Sequence, residues 1–483
     1  MTAPEFFVRE TELYERVVRL RLPFRFGVIV LREAPQCFVR VRIELPDGRT
    51  QWGAAAELLA PKWFDKNPAL SNEDNFDHLR WSLMLAADIY THDRTPRSAF
   101  GHFAAHYDEQ ISLSASLGLN PLIAGFGPAQ IDRAVLDALG RIMNRSFYDG
   151  IRSNLAGIDA GLLPRSLFDL TGFDMDRFFA QLNPAQSMAS RHTVGLADAL
   201  GGHPQQVGDG MPESLEEVVT TYGHTYFKLK IGGDLEADLE RLAEIATVLH
   251  RITEPYFVSL DGNEQYNDIT AVLELWRRMQ EKPQLERLAA SILFIEQPIA
   301  RAHALERDVS ALARVKPVII DESDDDLGAF PRAKALGYLG ASSKCCKGLY
   351  KSLLNSARCA MWNAADGAGR YFMTGEDLTT QPGLAVQQDL ALANLIGVRH
   401  VERNGHHYVN GMMGLPAAEQ AAFLTAHSDL YERSHGAVRL RIRNGKLDIG
   451  SLAGPGFASG AFPDWSSLAP LAAEPPIRPS RMT

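Results

Sequence analysis

The chain has 483 residues, a net charge of −10, a pI near 5.8 and 46% hydrophobic residues. That length predicts two domains, or one large barrel with an added lobe, and the acidic balance excludes a nucleic-acid footprint. No run approaches the roughly 20 apolar residues of a membrane span, and Met1-Thr2-Ala3-Pro4-Glu5 begins no targeting pattern. The four cysteines, Cys37, Cys345, Cys346 and Cys359, lack zinc-like spacing, so reduced thiols in an untargeted, cytoplasmic protein without membrane partners are expected.

In chain order, Val39, Val41, Ile43 and Leu45 alternate with Arg40, Arg42 and Glu44, the period-two pattern of a half-buried strand. Pro46-Asp47-Gly48 supplies a turn, a second strand runs toward Trp52, and a helical stretch follows. Residues 1–158 are thus expected to form an α+β lobe. Residues 190–403 change character: short β-rich runs recur at His192–Gly195, Tyr226–Lys230, Phe257–Asp261, Ile292–Glu296, Val318–Asp321, Ala341–Lys344, Tyr371–Thr374 and Val398–Glu402. Helical faces such as Leu235, Leu239, Leu242 and Ala246 lie between them. Eight strands alternating with helices predict an α/β fold, a (β/α) barrel, with a doubly wound open sheet equally compatible with the pattern alone. Residues 404–483 return to strand-like text around Val438, Leu440 and Ile442 and are expected to pack back on the first lobe.

Five strand runs end in a charge: Lys230, Asp261, Glu296, Asp321 and Lys344. In a barrel these ends face one mouth, where the side chains converge. Asp261, Glu296 and Asp321, from adjacent strands, offer three hard oxygen ligands suited to Mg²⁺, with Mn²⁺ as a substitute. Lys230 and Lys344 stand half the ring apart, one amine for each face of a bound carboxylate substrate's α-carbon. Removing that proton builds a second negative charge on the carboxylate, which a divalent cation stabilises. Lys228 points to the same side as Lys230, and its repulsion is expected to lower the pKa of that base.

Lys228-Leu229-Lys230, Asp261-Gly262-Asn263, Glu296-Gln297-Pro298, Asp321-Glu322-Ser323 and Lys344-Cys345-Cys346-Lys347 together resemble the ordered signature of the mandelate racemase and muconate lactonizing enzyme family of the enolase superfamily. The resemblance implies a modified TIM barrel under an N-terminal α+β capping domain. It also implies Asp261, Glu296 and Asp321 as metal ligands, Lys230 and Lys344 as the acid/base pair, and Lys228 as a neighbour that touches the substrate carboxylate. A lysine on the sixth strand looks more like the muconate lactonizing branch. A homo-oligomer is expected on the resemblance alone. The interval from Asp261 to Glu296 is 35 residues, which points to an insertion near 280–288.

Asn263 and Glu376 are candidate substrate contacts, each with a structural alternative in a local turn or in support of the metal site. Asp324, Asp325 and Asp326 read as a solvated acidic loop, Glu402 as a satisfied rim carboxylate, His406 and His407 as turn residues after Asn404-Gly405, and Cys345 and Cys346 as packing. The expected reaction is Mg²⁺-assisted α-proton abstraction giving racemisation, epimerisation or cycloisomerisation. A dehydratase acting on sugar or hydroxy acids uses the same five residues, and a non-catalytic binder of metal and carboxylate is the alternative of another class.

Overall fold

Two long strands, β1 (Phe7–Phe26) and β2 (Ile29–Glu44), open the computed structural model, which describes residues 3–26, 29–202, 207–367 and 369–473. They form an antiparallel ribbon that pairs Phe7 with Glu44 and Phe26 with Ile29. One face of β1 buries Val8, Leu22 and Phe24. The other carries charges that bond across the strands: Arg40 Nη1 donates to Glu12 at 2.6 Å and Arg42 Nε to Glu10 at 3.0 Å. β3 (Thr50–Leu58) completes this sheet against β2. Its small residues let the helix Phe126–Ile142 come close: a Cβ on Gly53 would stand 2.1 Å from the Ala134 carbonyl oxygen and 2.2 Å from the Ala138 nitrogen. The helix Asn72–His92, started by a capping box between Ser71 and Asp74, packs on the same layer.

Eight parallel strands follow: β4 (Ser187–Val194), β5 (Tyr226–Lys230), β6 (Phe257–Asp261), β7 (Ile292–Glu296), β8 (Val318–Ile320), β9 (Gly340–Ser343), β10 (Phe372–Gly375) and β11 (His400–Arg403). Each pairs with the next, and β11 returns to β4 with Arg403 opposite His192. The sheet therefore closes, which decides for the barrel over the open sheet. β12 (Tyr431–Ser434) and β13 (Ala437–Leu440) form a hairpin. β14 (Lys446–Asp448) adds antiparallel to the start of β4, and β15 (Ala469–Pro470) adds to β1 at Tyr14 and Glu15.

Between β6 and β7, a turn at Pro283–Leu285 and the helix Glu286–Ser291 occupy the expected insertion and bury Leu285 and Leu288. All four cysteines are free and buried. Among the described residues no helix is long and apolar enough to cross a membrane.

Candidate active site

Each mouth residue ends or directly follows a barrel strand, and strand pairing aligns them: Lys230 lies opposite Asp261, and Asp261 opposite Glu296. Asp321 and Lys344 are the residues immediately after β8 and β9. The loops then turn sharply through left-handed residues, Asn263 at φ 39°, Glu264 at φ 67° and Gln297 at φ 34°, a conformation that non-glycine residues adopt at some cost. Gln297 bears part of that cost by tying two loops together. Its Oε1 accepts from the Asp321 amide at 2.8 Å and its Nε2 donates to Ser323 Oγ at 2.8 Å.

The three expected ligands and both lysines come together. Lys230 Nζ donates to Asp261 Oδ2 at 2.5 Å and Lys344 Nζ to Asp321 Oδ2 at 2.5 Å, so the amines flank the two ends of the carboxylate row. Glu296 lies between, fully buried, with Oε1 bound to Lys228 at 2.8 Å and Oε2 without any hydrogen-bond partner. A buried bare carboxylate oxygen is costly. Burial, Asp261 and Glu376 push the Glu296 pKa far up, whereas Lys228 and Lys230 hold Asp261 below its ordinary value against burial. Lys344 and Lys347 likewise hold Asp321 down against burial. Burial opposes the charge on Lys344, but Asp321 outweighs it and keeps the amine protonated. This donor set, all carboxylate oxygen with one oxygen unpartnered, fits a hard divalent cation.

Lys228 departs from expectation. Its Nζ sits inside a cage of four carboxylates, 2.8 Å from Glu296 and 2.9 Å from each of Asp261, Glu376 and Glu402. Asp261 contacts both amines, so the bare lysine–lysine repulsion expected from spacing is compensated. The cage holds the Lys228 pKa far above its ordinary value despite burial. Glu376 accepts from Arg191 and from Lys228, the supporting role weighed for it beside a substrate contact, and the next residue, Asp377, lines the cavity. Glu402 accepts from Thr193 Oγ1 at 2.6 Å and from the Asp377 amide at 2.9 Å, a satisfied buried carboxylate. Asn263 lines the cavity; its amide donates to Asp261 Oδ1 at 2.8 Å and its carbonyl accepts from Lys66 at 2.8 Å. Asp324, expected in solvent, is 2% exposed and pairs with Lys347 at 3.3 Å and Lys351 at 3.6 Å. Its lysine partners come from the next βα unit, which sequence order does not reveal. His406 and His407, expected in a loop, form one helical turn at Gly405–Tyr408, with His407 buried. Cys345 and Cys346 are buried beside Lys344, and burial raises both thiols far above their usual range.

Sequence reasoning missed the roof. Phe24 and Leu31 from the β1–β2 ribbon, Trp63, and Leu378 cover the mouth. The Lys344 ammonium lies 4.2 Å from the Trp63 ring centroid, an attractive contact with the π face. No motif announces these residues, because an apolar side chain that roofs a site reads like one in a core. Under the roof the free space is about 20 Å³, room for about one or two waters.

Residues 210–365 match the family described as enolase C-terminal domain-like. No curated protein matches this chain by sequence. Among solved structures, a dipeptide epimerase from Cytophaga hutchinsonii, complexed with Mg and the dipeptide D-Ala-L-Val, has a TM-score of 0.58 at 14% identity, covering 96% of this chain and 98% of its own. Muconate lactonizing enzyme from Mycobacterium smegmatis, complexed with muconolactone, has a TM-score of 0.57 at 18% identity, covering 95% and 98%. The 2-chloromuconate cycloisomerase of Rhodococcus opacus 1CP has a TM-score of 0.55 at 16% identity, covering 95% and 97%. At such identities these likenesses speak for the fold.

Proposed function

Because residues 210–365 of this chain match the family described as enolase C-terminal domain-like, we propose that the protein is an enolase-superfamily, divalent-cation-dependent isomerase that removes and returns a proton next to a substrate carboxylate. The observation that carries this reading is the pair of lysine amines at opposite ends of one carboxylate row, around the unpartnered Glu296 oxygen. Asp261, Glu296 and Asp321 would hold Mg²⁺, which supplies positive charge to the substrate carboxylate as charge builds in the transition state.

The chain's own groups do the rest. Lys230 and Lys344 each present an amine to the cavity; one takes the α-proton and the other delivers a proton to the opposite face, which inverts or relocates the centre. Lys228 anchors Asp261 and Glu296 from below and keeps the floor of the mouth near charge balance. The roof of Phe24, Leu31, Trp63 and Leu378 excludes water once closed and favours substrates with an apolar group beside the carboxylate. The isomerase reading draws further support from the epimerase and cycloisomerases that share the fold. Assembly into a homo-oligomer and residence in the cytoplasm remain part of this proposal.

The test is α-deuterium incorporation from D₂O into a panel of carboxylates with Mg²⁺, read by mass spectrometry and NMR. Exchange is expected, and Lys344→Ala should reduce turnover by about 10²–10⁴-fold with Mg²⁺ affinity near wild type. Loss of metal affinity in that variant would make the lysine structural. Elimination products in place of isomers would assign a dehydratase, and no exchange across the panel would favour a binding protein.

A further inference from the structure

Outside the barrel wall, three imidazoles converge. His192 lies in β4, where the neighbouring Arg191 and Thr193 face inward to Glu376 and Glu402, so His192 faces outward. His224 stands just before β5, after the helix Leu215–Tyr222, whose C-terminal Gly223 turns the chain at φ 66° and ψ 36°. His406 lies in the helical turn that follows β11. One ligand atom from each falls within 4.8 Å of the others, and His192 Nδ1 is 3.1 Å from His406 Nε2.

The rings are already set for coordination. His224 Nδ1 donates to the Ser190 carbonyl at 2.9 Å, which leaves the lone pair on Nε2, the arrangement that orients a metal-binding imidazole. That Nε2 is buried and has no hydrogen-bond partner. His192 is 2% and His224 1% exposed, while His406 is partly exposed. Burial and the crowding of the rings hold His192 and His406 far below the usual histidine range, and burial alone brings His224 to about 4. At neutral pH all three are therefore uncharged, the form from which imidazole binds metal. Tetrahedral bonds of about 2.0–2.1 Å to Zn²⁺ would place the nitrogens about 3.3–3.4 Å apart, close to the His192–His406 separation.

The second imidazole cluster, Asp93, His102 and His106, is different. Arg97 donates to Asp93 at 2.8 Å and the Phe6 carbonyl takes His102 Nε2 at 2.9 Å. A cation there would meet a guanidinium, so that group is a hydrogen-bonded network.

We propose that His192, His224 and His406 bind one zinc ion, with water in the fourth position, as a staple across the closure of the barrel. Nitrogen ligands without carboxylate select a borderline ion over Mg²⁺. The ligands come from the first strand, the entry to the second and the exit from the last, and the His192–His406 link spans 214 residues of chain. Binding only the closed form adds to its stability.

The test uses the full chain, stripped with a chelator and held in saturating Mg²⁺ so that the mouth is occupied. Titration with Zn²⁺ by calorimetry should show one equivalent per chain and a raised melting temperature. His224→Gln and His406→Gln should each lose that equivalent, while Glu296→Gln keeps it. No uptake by wild type, uptake unchanged in both histidine variants, or uptake lost in Glu296→Gln would each overturn the proposal. Should the histidine variants fail to fold, X-ray absorption at the zinc edge of wild type decides: three imidazole shells support the site, and an all-oxygen shell overturns it.

Discussion

The two faces of β4 carry opposite electrostatics. Inward, Arg191 pairs with Glu376, and beside it Lys228 is enclosed by Asp261, Glu296, Glu376 and Glu402. Outward, one residue along, His192 joins a neutral imidazole cluster with His224 and His406. The inner face solves burial by mutual compensation of full charges; the outer face solves it by discharging its groups. Charges that compensate one another are poised for chemistry, since a cation or a substrate carboxylate can exchange partners with them. Neutral imidazoles offer lone pairs and little else. A strand's period of two is enough to keep these chemistries about a barrel wall apart.

Removing a compensating charge should break this contrast most visibly. Lys228→Met would leave four buried carboxylates facing one another and should destabilise the protein by about 3–5 kcal/mol, measured by urea unfolding. A loss under about 1 kcal/mol would mean the carboxylates discharge on their own and the cage is not held by Lys228.

Acid should separate the faces next. His224 has a native pKa of about 4, set chiefly by burial with the Ser190 hydrogen bond opposing, against about 6.5 in an unfolded chain. The unfolded state therefore binds its proton first, and the native contribution, complete above pH 6.5, is lost as pH falls toward 4. With chelator present, the stability of wild type relative to His224→Gln should fall by up to about 3 kcal/mol over that window and stay level above it. Asp261 and Asp321, held below the ordinary carboxylate range, should contribute their loss only at lower pH. A flat difference across pH 4–6.5 would mean that the imidazole is not discharged in the native state.

The smallest effect tests the roof. Trp63→Leu removes the ring beside Lys344, a contact worth about 0.5–2 kcal/mol, so kcat/KM should fall by about 2- to 30-fold with Mg²⁺ affinity unchanged. An equal fall in metal affinity would place Trp63 in support of the carboxylate row instead.

The strands of the barrel were legible because their signals are local. Each of β5, β6 and β7 is a short apolar run ending in the charge that the mouth requires, and their bounds match the sequence pattern. β1 carries Arg9, Glu10, Glu12 and Arg16 among its apolar residues, which blurs its local strand signal, although several of these charges are satisfied across the ribbon or by the distant Glu419. The same blindness made Asp324 look solvated and Glu376 look like a substrate contact, because their partners lie on other strands.

Sequence alone determined the α/β alternation and the order of the mouth residues along the chain, since strand period and element order follow from spacing; the opposition of the two lysines needed the ring to close. Tertiary structure alone decided closure of the sheet, the cage around Lys228, the roof over Lys344 and the meeting of His192, His224 and His406. Those features depend on contacts between residues up to hundreds of positions apart, and such contacts leave no trace in local pattern because each side chain's partner is set by where the chain returns, not by its neighbours.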